Sequence, residues 1–222
     1  MKVRLFRWVF LLLIGFGIGA LIIHFQKQAE LEKGVVELSP DDQASATILK
    51  SPVSKPSRGS VDVGGSFELV DHNGKTVTQD DFKDTYKLIF FGFTFCPAVC
   101  PTELQKVAVI LDELGEETAA KITPILVSVD PERDTPEVMK DYVAQYHPRL
   151  IGLTGSQEQI DSAKDAFKVY AAKVENDLME GYMMDHSAFL YLTDKDNKMI
   201  KLYPSKDSAQ DIAEDIKALD IE

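Results

Sequence analysis

The chain has 222 residues and a formal net charge of −12 at pH 7, with 24 Lys and Arg against 36 Asp and Glu. So acidic a balance excludes nucleic-acid binding through a broad basic surface. At 45% hydrophobic and 27% charged residues the composition is globular, which excludes a disordered chain and a Gly/Pro-rich fibre. The only cysteines, Cys96 and Cys100, are too few for a disulfide framework and too close to close a large loop, so they point to chemistry rather than scaffold.

Lys2, Arg4 and Arg7 precede a run from Trp8 to Ile23 in which every residue is apolar or glycine. The uncharged stretch continues to Gln26, and 19 residues at about 1.5 Å each reach roughly 28 Å as a helix, close to a bilayer core. Residues 1–26 therefore read as a single transmembrane anchor. The basic residues on its N-terminal side put the N-terminus in the cytoplasm and the rest outside. A cleavable signal peptide is the rival reading, but bulky Ile18 two positions before Ala20 spoils an A-x-A site. With no Arg/Ser-rich transit peptide ahead of the anchor, a bacterial inner membrane with a periplasmic domain is favoured over a mitochondrial inner membrane. The exported part is more acidic still, so a docking partner is expected to offer a basic patch.

Residues 27–62 hold Pro40, Pro52 and Pro56 among polar residues without an apolar period, and read as a flexible tether. Residues 63–222 form a comfortable single domain. Phe67 to Val70 and Lys75 to Thr78 flank Asp71-His72-Asn73-Gly74, where Asn-Gly predicts a β-hairpin whose two turn residues tolerate positive φ. Lys87 to Phe93 and Ile122 to Val129 are apolar runs without alternation, as in buried parallel strands. Leu104, Val107, Leu111 and Leu114 between them keep helical spacing, which completes a strand, helix, strand crossover. Thr135-Pro136 starts a helix reaching about Tyr146, and a strand at Leu150 to Leu153 follows. Ser156 to Gln159 is a capping box before a helix with Ile160, Ala163, Phe167 and Tyr170. Ser187 to Leu192 and Met199 to Tyr203 make a terminal hairpin, and Ile212, Ile216 and Leu219 line a last helix. This order predicts an α/β, thioredoxin-like three-layer sandwich with an N-terminal β-hairpin, behind the transmembrane helix.

Cys96 and Cys100 sit where a buried strand turns into a helix, the place at which α/β folds bind ligands. Free N–H groups at the helix N-terminus stabilise thiolates, and both a nucleophile and a metal ligand need the thiolate. Three residues separate the thiols, one more than in the usual thioredoxin pair, and this wider bite suits a chelate at least as well. Two thiolates leave a metal's coordination incomplete, and Asp185-His186 is the best source of another donor. His186 lies immediately before the strand Ser187 to Leu192, which this topology sets beside the strand carrying the cysteines. Two thiolates and one imidazole favour copper, with zinc as the alternative.

Cys96-Pro97-Ala98-Val99-Cys100-Pro101, Asp130-Pro131-Glu132-Arg133-Asp134-Thr135-Pro136, Gly152-Leu153-Thr154-Gly155 and Tyr182-Met183-Met184-Asp185-His186-Ser187 follow one another in the chain. In that order, behind an anchor, they resemble the Sco/SenC family of copper-binding assembly proteins over essentially all of residues 63–220. The resemblance implies one copper ion, Cu(I) or Cu(II), per chain, held by Cys96, Cys100 and His186, with Asp185 as the acidic neighbour of the histidine. It also implies a metallochaperone that serves the binuclear copper site of cytochrome c oxidase, with oxidase subunit II or a related exported copper acceptor as partner. Part of the family is thought to act instead as a thiol-disulfide reductase on the oxidase cysteines.

Blander readings stand beside these. The cysteines can form a structural disulfide, and His186 can be a core histidine. His24 reads as an interface residue, His72 as a turn residue and His147 as a helix-end residue. Asp130, Arg133 and Asp134 fit a docking or supporting loop as well as a capped acidic one. Met183 and Met184 suit packing better than transient thioether contacts with copper. A peroxide-reducing enzyme is the weakest reading, since Thr94-Phe95-Cys96-Pro97 supplies no peroxide-activating Arg.

Overall fold

The structure is a computed structural model, and it describes residues 63–175, 181–219 and 221. The membrane segment and the tether expected at residues 1–62 lie outside the described residues. Among those described, no helix is long and apolar enough to cross a membrane.

Strands β1 (Glu68–Asp71) and β2 (Thr76–Thr78) form the expected hairpin. Its turn differs from the predicted one, because Gly74 alone adopts positive φ, at 83°. Asp71 replaces the second left-handed residue with its side chain: Oδ1 accepts from the N–H groups of Asn73 and Lys75, both at 2.9 Å. A 3₁₀ turn, Gln79–Phe82, leads to β3 (Tyr86–Gly92). Then come α1 (Val99–Ala120), β4 (Ile122–Ser128), α2 (Pro136–Val143), β5 (Ile151–Thr154) and α3 (Gln157–Phe167). A two-stranded ribbon, β6 (Ala171–Glu175) and β7 (Tyr182–His186), precedes β8 (Phe189–Thr193), β9 (Met199–Pro204) and α4 (Ala209–Ala218).

Seven strands form one sheet in the order β2-β1-β5-β4-β3-β8-β9, with β3, β4 and β5 parallel to one another and β1 and β8 antiparallel to their neighbours. The chain steps from β3 to β4 to β5 in one direction, so right-handed crossovers put α1 and α2 on the same face. The return from β5 crosses the other face through α3, where Phe167 meets Phe91 and Tyr191 at ring-centroid distances of 5.3 and 5.6 Å. Helix α4 packs against α1, which completes the three layers. β3 and β4 read as unbroken apolar runs because helices cover both of their faces.

The caps form as predicted. Thr135 accepts from the N–H of Val138, and Ser156 and Gln159 exchange the two bonds of a capping box. Two expectations are corrected. Helix α3 ends at Phe167, with Lys168 left-handed behind it, so Tyr170 lies beyond the helix and is exposed. Leu219 follows α4 as an exposed residue, while Ile212 and Ile216 are buried.

Candidate metal centre

β3 ends against the sheet face that α1 covers, and the connecting loop carries Phe93 to Ala98. Ala98, at the head of α1, has no side chain with which to cap the helix. The Cys96 sulfur takes that place and accepts the Cys100 N–H at 3.4 Å. Pro101 follows in the first helical turn, where its missing N–H costs nothing. Cys100 is fully buried and Cys96 half-buried, and both are free thiols. The turn is tight. A Cβ at Gly92 would lie 2.7 Å from the Phe90 ring and 3.0 Å from Cys100 Sγ, so glycine is what lets Cys100 rest on the end of β3.

His186 comes from the ribbon. The sequence reading puts it just before a strand at Ser187, whereas the structure makes it the last residue of β7, paired with Ala171, and β8 begins only at Phe189. Its Nε2 lies 3.7 Å from Cys100 Sγ. Its Nδ1 lies 3.1 Å from the Ser187 carbonyl, which can only accept, so Nδ1 carries the proton and Nε2 turns a lone pair toward the thiols. Phe90 and Phe93 wall the imidazole edge-on, at 6.1 and 5.7 Å.

The two thiols are made unlike by their surroundings. Hydrogen bonds from the Cys100 thiol and from backbone N–H groups favour a thiolate at Cys96 and hold its pKa down, to about 3. Cys100 is pushed well up, because it donates to Cys96 and is buried. A metal bonded to sulfur at about 2.3 Å and to imidazole nitrogen at about 2.0–2.1 Å sets the two donors about 3.6–3.8 Å apart at tetrahedral or trigonal angles. The Cys100 to His186 separation already matches that bite, and two sulfurs with one nitrogen suit a soft ion. The same distance fits a thiol hydrogen bond, and among the described residues no three His, Cys, Asp or Glu side chains stand in a closed metal-binding arrangement.

The Asp130 to Pro136 segment buttresses the cysteine loop. Asp134 is fully buried, accepting from Thr94 Oγ1 and Ser128 Oγ, each at 2.6 Å, and from the Thr94 N–H. Burial pushes its carboxyl above the usual range against these bonds. Asp130 pairs with Arg133 and accepts from the Tyr182 hydroxyl at 2.6 Å. Thr94 and Tyr182 thus belong to the site's support, a role the sequence reading does not give them although Tyr182 opens one of its motifs. For Tyr182 the period-2 run Tyr182, Met184, His186 was the available signal. Asp185 is exposed and alternates to the face of β7 opposite His186. Met183 and Met184 pack, partly buried, against the core. His72 does more than occupy a turn, since its Nδ1 accepts the Gly152 N–H at 3.0 Å and ties the hairpin to β5. His147 lies beyond the helix it was expected to end, because α2 stops at Val143 and not near Tyr146, and its Nδ1 accepts from the Arg149 N–H in the connection to β5.

The profile of the SCO1/SenC family matches residues 55–220. The chain belongs to the SCO1/SenC family. It is 43% identical over 158 residues to the SCO2-like protein of Rickettsia felis, which covers 71% of this chain and 77% of that protein. Among solved structures, Arabidopsis thaliana ScoI with copper bound matches at a TM-score of 0.67 and 37% identity, over 71% of this chain and 98% of that one. Bradyrhizobium japonicum ScoI with copper bound matches at 0.64 and 42% identity, over 70% and 98%. These matches bear out the thioredoxin-like SCO1/SenC fold read from the sequence.

Proposed function

We propose that this chain is a copper metallochaperone for cytochrome c oxidase assembly, in which Cys96, Cys100 and His186 hold one copper ion as cargo. The 3.7 Å approach of His186 Nε2 to Cys100 Sγ, across 86 residues of sequence, carries this reading. The copper bound by the Arabidopsis and Bradyrhizobium relatives supports it. Half-exposed Cys96 is the sulfur that an acceptor's thiolate reaches first, so copper leaves by stepwise ligand exchange, with no covalent turnover. Residues 1–26 anchor the domain to a membrane with the site outside the cytoplasm, and the acceptor is the binuclear copper domain of oxidase subunit II or a related exported protein. Asp185, beside the histidine, meets the acceptor's basic surface.

The thiol asymmetry favours a second reading. A reactive, accessible Cys96 thiolate in front of a buried Cys100 also suits disulfide exchange. Cys96 would attack a partner disulfide to form a mixed disulfide and release one partner thiolate. Cys100 would then lose its proton, displace the second partner thiolate and leave a Cys96–Cys100 disulfide. Two electrons would pass to the partner, and an exported thiol reductant would restore the dithiol.

The test mixes the copper-loaded full-length chain with the reduced, copper-free acceptor domain and follows the acceptor's copper absorption. Transfer that is lost in His186→Ala supports the metallochaperone. An acceptor that gains no copper, while its oxidised form is reduced equally well by wild type and His186→Ala, supports the reductase.

A further inference from the structure

Arg133 stands between the two segments that carry the proposed ligands. Its Nε pairs with the Asp130 carboxylate and its Nη1 donates to the Tyr182 carbonyl at 3.0 Å. The guanidinium carbon lies 4.0 Å from the Tyr182 ring centroid, 4.8 Å from that of Phe95 and 5.8 Å from that of Phe93. Tyr182 opens the strand that ends in His186, and Phe95 adjoins Cys96. One planar cation therefore touches both the histidine strand and the cysteine loop. Nη2 is buried without a partner among the described residues, so Asp130 and the flanking rings set the plane of the head, not the satisfaction of every donor.

β6 and β7 pair only with each other and not with the seven-stranded sheet, so side-chain contacts hold the ribbon, this one together with the packing of Met183 and Met184 on the core. Around Arg133, the Tyr182 hydroxyl donates to the fully buried Asp130, and Lys173 of β6 pairs with Glu132 at 2.6 Å while lying over the Tyr182 ring at 4.5 Å. Phe95 is 62% exposed and has the Arg133 head against its ring. A guanidinium stacks and bonds in its own plane at the same time, which an ammonium cannot do.

We propose that Arg133 is a positioning residue for the thiol–imidazole site: by gripping Tyr182 and Phe95 at once, it sets the gap between the Cys96 loop and the His186 strand. The inference rests on the metal-binding reading above, and its test also has a readout free of metal. Amide hydrogen exchange is followed in the reduced, copper-free full-length chain for wild type, Arg133→Lys and Tyr182→Phe. Arg133→Lys keeps the charge and loses the fork, so exchange in residues 182–186 and 93–100 rises about tenfold, equivalent to ~1.4 kcal/mol, while β4 stays unchanged. Tyr182→Phe removes only the hydroxyl's bonds to Asp130 and Glu132 and gives a smaller rise in the same segments, which carries the test alone if Arg133→Lys fails to fold. With one equivalent of Cu²⁺, the nitrogen hyperfine pattern of His186 changes in Arg133→Lys and not in a surface control, Lys206→Gln.

Exchange in both segments that stays at the wild-type level in both variants overturns the proposal, whatever copper does. If wild type binds copper through His186 and Arg133→Lys matches it in exchange and spectrum, the positioning role falls and the metal-binding reading stands. If no copper binds at all, the metal-binding reading falls, and the exchange data still decide whether Arg133 holds the gap.

Discussion

Replacing Gly92 by alanine puts a methyl group where β3 meets Cys100. The added carbon would stand 2.7 Å from the Phe90 ring and 3.0 Å from Cys100 Sγ, against about 3.4 Å or more for ordinary contact. Phe90 must retreat by about 0.7 Å and the sulfur by about 0.4 Å, yet both are fully buried and Phe90 is flanked by the imidazole. Overpacking of a closed core costs about 1–3 kcal/mol. In a domain of this size that lowers Tm by roughly 2–12 °C. The displaced sulfur also leaves the 3.7 Å separation from His186 that matches a metal's bite. Gly92→Ala is therefore expected to melt earlier by calorimetry and to bind copper more weakly in an anaerobic titration, with unchanged far-UV circular dichroism. A Tm within about 1 °C of wild type, with wild-type copper affinity, would refute the close-approach argument.

Further expectations follow from individual groups. Cys96, with its pKa held down to about 3, contributes stability that is present above the unfolded thiol value and lost as pH falls toward 3. Its alkylation rate should accordingly stay flat from pH 8 to 5 and thiolate absorbance at 240 nm should persist at pH 5, whereas a rate that falls below pH 8 like a free thiol contradicts this. Lys87 is fully buried, with Nζ donating at 2.9 Å to the carbonyls of Asp194 and Lys195. Lys87→Met removes both bonds, leaving the Asp194 carbonyl only the Asn197 N–H, and should cost about 1–3 kcal/mol in urea unfolding while leaving copper binding intact. The Tyr142 hydroxyl is buried with no partner among the described residues, so Tyr142→Phe is expected to be neutral or to raise stability by up to ~1 kcal/mol.

Local signals made most of the central architecture legible. The apolar runs that became β3 and β4, the caps at Thr135 and Ser156, and the Leu104 to Leu114 stripe each act over a few residues and survived folding unchanged. The ribbon was missed because β6 is half-buried at best, with Lys173 and Glu175 on it, so no clean apolar alternation marks it. The structure brings His186 within 3.7 Å of Cys100 Sγ, but from another element than the sequence pattern assigns it, since the pairing of Ala171 with His186 is set across the ribbon and not by neighbours in sequence. The Asp130, Arg133 and Tyr182 contacts join residues 49 to 52 positions apart, a range at which no local pattern reports. Thr94 was invisible for the same reason, because its partner Asp134 lies 40 residues on.

The most direct test of the central claim is an anaerobic copper titration of the reduced full-length chain, wild type beside His186→Ala, read by bound copper per chain and thiolate-to-Cu²⁺ absorption. One tightly held copper in wild type, with a sharp loss of affinity in His186→Ala, is the expected result. Equal copper affinity in the two proteins would contradict a site built from Cys96, Cys100 and His186.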